Sequence, residues 1–208
     1  MTAKVLMVGD QYSPRFRAAV ATLLETEGGL VDDPIDHGGI TKYGISLRFL
    51  VAEGVFDANG DGHADFDLDF DGDIDGEDVR ELTREGAITL YHRCFWQRLA
   101  ADSFPAPIGE MLFDQAVNAG IVAARKLLQR ALNTCLLGMG ERHLLTVDGA
   151  IGSVTMAALN RARAWPSVDL PAAYRDAVGE RYRDIVRRNP AQERFLKGWL
   201  ARADRLGR

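Results

Sequence analysis

Apolar residues recur at helical spacing through most of this chain, punctuated by glycine and proline. Ser13-Pro14 reads as an N-cap followed by proline at the first helical position. Phe16, Val20, Leu23 and Leu24 then share one face, and Gly28-Gly29 stops the helix. Residues 30–44 show no helical period and fit turns and short strands. A helix over about 46–55 follows, then one over about 77–96 with Val79, Leu82, Ala87, Leu90 and Tyr91 on its apolar face. "SFPAPIG" breaks the chain, and the next run, about 108–136, is expected to bend at Gly120. A glycine-marked turn, "TVDGAIG", leads into a helix at about 153–163. Helices at about 170–188 and 191–206 are separated by Asn189-Pro190. The predicted class is mainly α, a helix-dominated α+β arrangement with a small β element near residues 30–45.

At 208 residues and 47% hydrophobic content the chain can bury a real core. No run reaches the roughly 18 apolar residues that cross a bilayer. "MTAKVLMVGDQYSPRF" is a poor secretory signal, so synthesis in the cytoplasm is expected. Cys94 and Cys135 have no metal-type spacing and are expected to be buried thiols.

The net charge of −5 conceals a sharp partition. Residues 57–78, "DANGDGHADFDLDFDGDIDGED", hold nine Asp and one Glu with no Lys or Arg. The remainder carries 20 acids against 25 bases, a mildly basic body suited to an anionic polymer. Within the insert the cation-loop pattern D-x-[DN]-x-[DN]-G occurs twice. The first frame has Asp57, Asn59, Asp61 and Gly62, with the His63 carbonyl as a further donor, but its twelfth position is Leu68. The second has Asp67, Asp69, Asp71, Gly72, Asp73 and Asp75, and ends on Asp78. All-oxygen donors without a His or Cys cluster favour Ca²⁺. One tight structural calcium is expected in the second loop, with room for another in the first.

"LLETEGGLVDDPIDHGGITKYGIS" admits two readings: a plain cap and turn, or a catalytic cleft. Glu27 falls where the first helix runs out, and there the macrodipole disfavours negative charge and raises a carboxyl pKa. A carboxyl kept protonated near neutrality is what glycosidic cleavage requires of its general acid. Asp36, beside Gly38-Gly39, would be the ionised partner, Thr41 could hold water, and Tyr43 could line the floor.

These residues carry a resemblance. Glu27-Gly28-Gly29, Asp33-Pro34, Asp36, Gly38-Gly39 and Thr41-Lys42-Tyr43-Gly44-Ile45 are similar to the N-terminal signature of glycoside hydrolase family 108, the muramidases of phage endolysins. The likeness continues through "LTREGAITLYHRCFW" and "LFDQAVNAG". "TVDGAIGSVTMAAL" and "FLKGWLARADRL" resemble the peptidoglycan-binding segment that follows in that family. The resemblance implies a single lysozyme-like domain over 1–208, with a catalytic part at 14–105 interrupted by the loops of 57–78, and a helical part at 106–208. It implies hydrolysis of the β-1,4 bond between N-acetylmuramic acid and N-acetylglucosamine, without a catalytic cofactor, with Glu27 as the acid. The roles of Asp36 and Thr41 follow by analogy with phage lysozymes, and Asp32 or Asp33 could displace Asp36. Leu30 stands where the family usually has Tyr, and His37 where Pro is common. The insert is not part of the resemblance.

Asp114 and Asn118 match the family on a helix expected to face the cleft, with Asn118 a candidate for a sugar acetamido group. Trp96 and Trp199 sit among apolar helical residues and are expected in the core. The arginine-rich C-terminal helix is a solvated face that could also touch an anionic outer surface. The expectation is a monomeric endolysin-type muramidase acting on peptidoglycan after release through a holin, with no nucleic-acid partner and no membrane insertion. The alternative is a non-catalytic wall-binding module or a secretion-associated, calcium-responsive wall protein.

Overall fold

The computed structural model describes residues 12–26, 30 and 40–208. The chain forms two compact units, Met1–Asp102 and Ser103–Arg208. Among the described residues there are nine α-helices and one two-stranded sheet, a mainly α, lysozyme-like fold.

In the first unit α1 (Pro14–Thr26) begins as the Ser-Pro pair foretells: Ser13 Oγ accepts the Phe16 N–H at 3.2 Å. The same hydroxyl donates to Asp102 Oδ1 at 2.9 Å, and Asp102 Oδ2 accepts the Trp96 indole N–H at 2.7 Å. Trp96 is buried as expected, and Phe16 meets its ring at 5.4 Å. With Val20, Leu23 and Leu24 also buried, α1 is fixed along its length by one apolar face and at its start by the hydrogen-bond chain through Asp102. His92, for which the sequence offered no partner, packs against Tyr12 and Phe16. Burial holds its pKa below the ordinary imidazole value.

β1 (Thr41–Lys42) and β2 (Ile45–Ser46) pair antiparallel with Thr41 opposite Ser46. Ser46 then caps α2 (Leu47–Glu53). The single helix expected over 77–96 is three pieces: α3 (Gly76–Glu81), α4 (Arg84–Tyr91) and a π-helical turn, His92–Gln97. The break has a local cause. Thr83 Oγ1 accepts the Gly86 N–H at 3.0 Å, so a new helix starts there while Leu82 stays extended. The π turn seats Trp96 against Asp102 and stacks Phe95 on Phe49 at 5.4 Å.

The second unit is all helix: α5 (Ile108–Ala119), α6 (Ile121–Gly138), α7 (Ser153–Ala164), α8 (Leu170–Arg188) and α9 (Glu193–Arg205). α6 packs on α5, α7 and α8, and α9 packs on α8. The expected bend at Gly120 is a full break: its φ of +88° ends α5 and opens α6, a conformation costly for any residue with a Cβ. Tyr174, fully buried, donates to the Ala124 carbonyl at 3.3 Å, and desolvation raises its phenol well above the usual range.

Cys94 and Cys135 are buried free thiols, and burial pushes Cys94 up to about 11. No described helix is long and apolar enough to cross a membrane.

The "DG" turn before α7 is structural. Buried Gln129 donates to Asp148 Oδ1 (2.8 Å) and the Ala150 carbonyl (3.0 Å), and accepts the Gly149 N–H (2.7 Å). That amide holds the Asp148 carboxyl below its usual range, with the Ala150 N–H adding to the effect. Gln129→Ala leaves buried polar groups unpaired, and a loss of about 2–3 kcal/mol is expected. The denaturant midpoint should fall with an unchanged slope; an unmoved midpoint would refute this account.

Candidate functional site

Thr41 and Tyr43 stand together on the hairpin of the first unit. Tyr43 (φ +53°) and Gly44 (φ +75°) are its two central residues, the positive-φ pair of a type I′ turn. Asn-Gly or Gly-Gly is the usual solution, because a left-handed residue with a Cβ costs about 1–2 kcal/mol. A tyrosine tolerated there is a strained residue of the kind found at functional positions. Its carbonyl accepts the hydroxyl of fully buried Tyr91 at 2.9 Å, which ties the turn to α4. Lys42 Nζ donates to the Arg80 carbonyl and lies 5.7 Å from the Tyr43 ring, bracing the hairpin from the α3 side. Thr41 and Tyr43 are both partly exposed. Glu27 and Asp36 lie outside the described residues, as do Asp32, Asp33 and His37; Glu27 directly follows Thr26, the last residue of α1.

The acidic insert forms two loops of one design. In the first, Asp57 accepts the N–H groups of Gly60, Asp61 and Gly62, Asn59 that of Asp61, and Asp61 that of His63. In the second, Asp67 accepts those of Asp71 and Gly72, Asp69 that of Asp71, and Asp71 that of Asp73. Positive φ falls at matching positions, Gly60 with Phe70 and Gly62 with Gly72. The glycine of the loop pattern was readable in sequence; the left-handed Phe70 was not.

The loops differ where the sequence says they should. Asp78 is 1% exposed and accepts the Leu68 N–H at 2.5 Å and the Asp75 N–H at 2.7 Å. This carboxylate closes the second loop at its twelfth position and also completes the capping box of α3. The first loop has Leu68 in that place. Among the described residues, two sets of carboxylates lie close enough to hold a metal ion, Asp67–Asp69–Asp71 and Asp73–Asp75–Asp78, both in the second loop. Desolvation, then repulsion from Asp71, Asp78 and Asp67, raises Asp69's pKa. Repulsion from Asp71 leads for Asp73. Asp57 is instead held low, chiefly by the Gly62 N–H. The second loop concentrates anionic oxygen that a hard divalent cation would neutralise, so the donor set fits the expected ion.

In the second unit Asp114 and Asn118 share a face of α5. Asp114 Oδ2 accepts from Arg202 at 3.0 Å and Oδ1 from Gln115 at 3.0 Å. Asn118 Nδ2 donates to the Tyr182 hydroxyl at 3.2 Å. Trp199 corrects its expected place in the core: it is only half-buried, between the Tyr182 and Phe195 rings. The i, i+4 spacing of Phe195 and Trp199 hinted at the pair, while Tyr182 joins it only through packing.

Residues 20–120 match the Glycosyl hydrolase 108 family model and residues 123–204 the Predicted Peptidoglycan domain model. The boundary falls where Gly120 separates α5 from α6. The chain is also similar to the solved structure of SagA from Brucella abortus, at 27% identity and a TM-score of 0.64, over 92% of this chain and 90% of that one. No curated protein matches it. Residues 20–120 thus match the glycosyl hydrolase 108 family and are followed by a segment that matches a peptidoglycan-binding domain, which together support a glycoside hydrolase acting on peptidoglycan.

Proposed function

We propose that the protein is an endolysin-type N-acetylmuramidase that hydrolyses the β-1,4 bond between N-acetylmuramic acid and N-acetylglucosamine. The observation that carries this reading is the Glu27-Gly28-Gly29 signature directly after α1, inside the residues matched by the hydrolase family. Glu27 is the general acid: it gives its proton to the bridging oxygen as the bond breaks, so that the leaving sugar departs as an alcohol. Asp36, ionised, stabilises positive charge developing at the anomeric carbon or orients water. Thr41 positions that water, and Tyr43, in its strained turn, forms the floor. Asn118, whose amide nitrogen is engaged by Tyr182, leaves its carbonyl oxygen for a sugar acetamido N–H. Asp114 fixes that face through Arg202.

Calcium is proposed for the second loop, held by Asp67, Asp69, Asp71, Asp75 and Asp78 with the Asp73 carbonyl. The first loop, with Asp57, Asn59, Asp61 and the His63 carbonyl, is a weaker site. The ion would supply charge neutralisation and hold α2 and α3 together; no catalytic step passes through it. Release to the wall through a holin-type pore fits a lysis role, and the protein is proposed to work as a monomer.

Mass analysis of fragments from purified sacculi tests the reaction. New reducing muramic acid ends are expected. Reducing glucosamine ends, anhydro-muramic ends or uncut glycan with free stem peptides would each defeat the reading.

A further inference from the structure

We propose that Tyr182, Trp199 and Phe195 form a saccharide-stacking platform on α8 and α9, through which the second unit grips the glycan strand of peptidoglycan. The inference rests on peptidoglycan being the polymer engaged, and not on which carboxylate cuts it.

Phe195 and Trp199 are four residues apart and share a face of α9. Their rings stack 5.8 Å apart with 24° between planes, and Trp199 lies 5.4 Å from Tyr182 at 33°. The three are graded from core to solvent: Tyr182 is 3% exposed, Trp199 half-buried, and Phe195 40% exposed. α9 closes on α8 through Leu200 beside Gly179, buried Ala203, and the inner side of Trp199 against Tyr182. Trp199 therefore belongs in part to the α8–α9 seam, while Phe195 stands at the surface beside it. Single exposed apolar residues need no explanation. A row of three contacting rings running from the interior to the surface does.

The chemistry around the row selects its occupant. One face of a pyranose presents weakly positive ring C–H groups, which complement the negative face of an aromatic ring. The sugar's edge carries hydroxyl and acetamido groups that need polar partners. At the inner end Tyr182's hydroxyl is already bonded to Asn118, so the row continues from a residue proposed to contact substrate. At the outer end the Arg194 guanidinium lies 4.6 Å from the Phe195 ring centroid and Lys197 is exposed, placing cations where wall carboxylates would lie. Between the two rings' anchor points Gly198 leaves the surface bare: a Cβ there would meet nothing within 4 Å. A lipid surface fits less well, because much of α9's aliphatic side is taken up by α8.

The test is co-sedimentation of the full chain with purified sacculi, carried out in the Glu27→Gln background so that binding is read without cutting. Trp199→Ala should raise the apparent Kd about tenfold. Phe195→Ser, at an exposed position, should raise it severalfold. Trp199→Phe should bind nearly as well as the parent, and so should Trp165→Ala, an exposed tryptophan after α7. Circular dichroism melting identifies any variant that fails to fold, and Phe195→Ser then carries the test alone. Unchanged sacculus binding by folded Trp199→Ala and Phe195→Ser overturns the proposal. So does loss of binding to phosphatidylglycerol vesicles with sacculus binding intact. If Glu27→Gln still cleaves glycan, the catalytic assignment fails while the binding order of these variants continues to test the platform.

Discussion

Glu27→Gln is expected to reduce peptidoglycan hydrolysis by about 10²–10⁴-fold, the usual contribution of a positioned general acid. The amide keeps the shape of the side chain but has no acidic proton to give. The loss should fall on kcat while sacculus binding stays at the parental level, because the interaction removed exists only in the transition state. Turbidity clearing of permeabilised cells gives the rate and co-sedimentation gives the binding. Asp36→Asn should follow at smaller cost if it stabilises charge. A Glu27→Gln protein that clears cells at the parental rate would end the proposed mechanism, and one that neither binds nor cuts would point to a folding defect.

Calcium removal is the second large effect. With calcium about 100-fold above its Kd, preferential binding to the folded state contributes about 2.7 kcal/mol. For a chain of this size that corresponds to a melting shift of about 5–10 °C between millimolar calcium and excess chelator. Asp69→Ala should abolish the shift, because Asp69 is exposed and sits in the Asp67–Asp69–Asp71 group. The pH dependence has a defined sign. Asp69 and Asp73 have folded-state pKa values above the ordinary carboxyl value, so each opposes folding once ionised. In chelator their unfavourable effect should fade as pH drops through the raised pKa, whereas Asp57, held low, works in the opposite direction. With calcium bound, acidification should weaken the protein by protonating its ligands. Equal melting temperatures in calcium and chelator would remove the ion from the account.

Several of these features were legible before any coordinates. The Ser13-Pro14 start of α1, the helix spacing, the Gly120 interruption and the asymmetry between the two acidic loops are local in sequence, and local sequence decides them. Leu68 where a twelfth-position carboxylate belongs already separates the first loop from the second. Elsewhere local reading failed for identifiable reasons. The helix expected over 77–96 breaks because the Thr83 hydroxyl competes for backbone N–H groups, a choice that periodicity does not register. Trp199 looked like core because its neighbours in sequence are apolar. Its exposure depends on how α9 is rotated against α8, which no pattern within α9 specifies.

The sequence by itself determined the composition of the chemistry: a glutamate after the first helix, two cation-type loops, and a basic body with family-matching segments along most of its length. Capping, turn formation and loop chemistry act within a few residues, so their information is contained in short stretches. Only the tertiary structure decided that Asp102 joins Ser13 to Trp96, that Tyr91 holds the strained Tyr43 turn, and that Trp199 contacts both Tyr182 and Phe195. These partners are distant in the chain or brought together by helix packing, and their contacts arise only once apolar faces have been buried against one another.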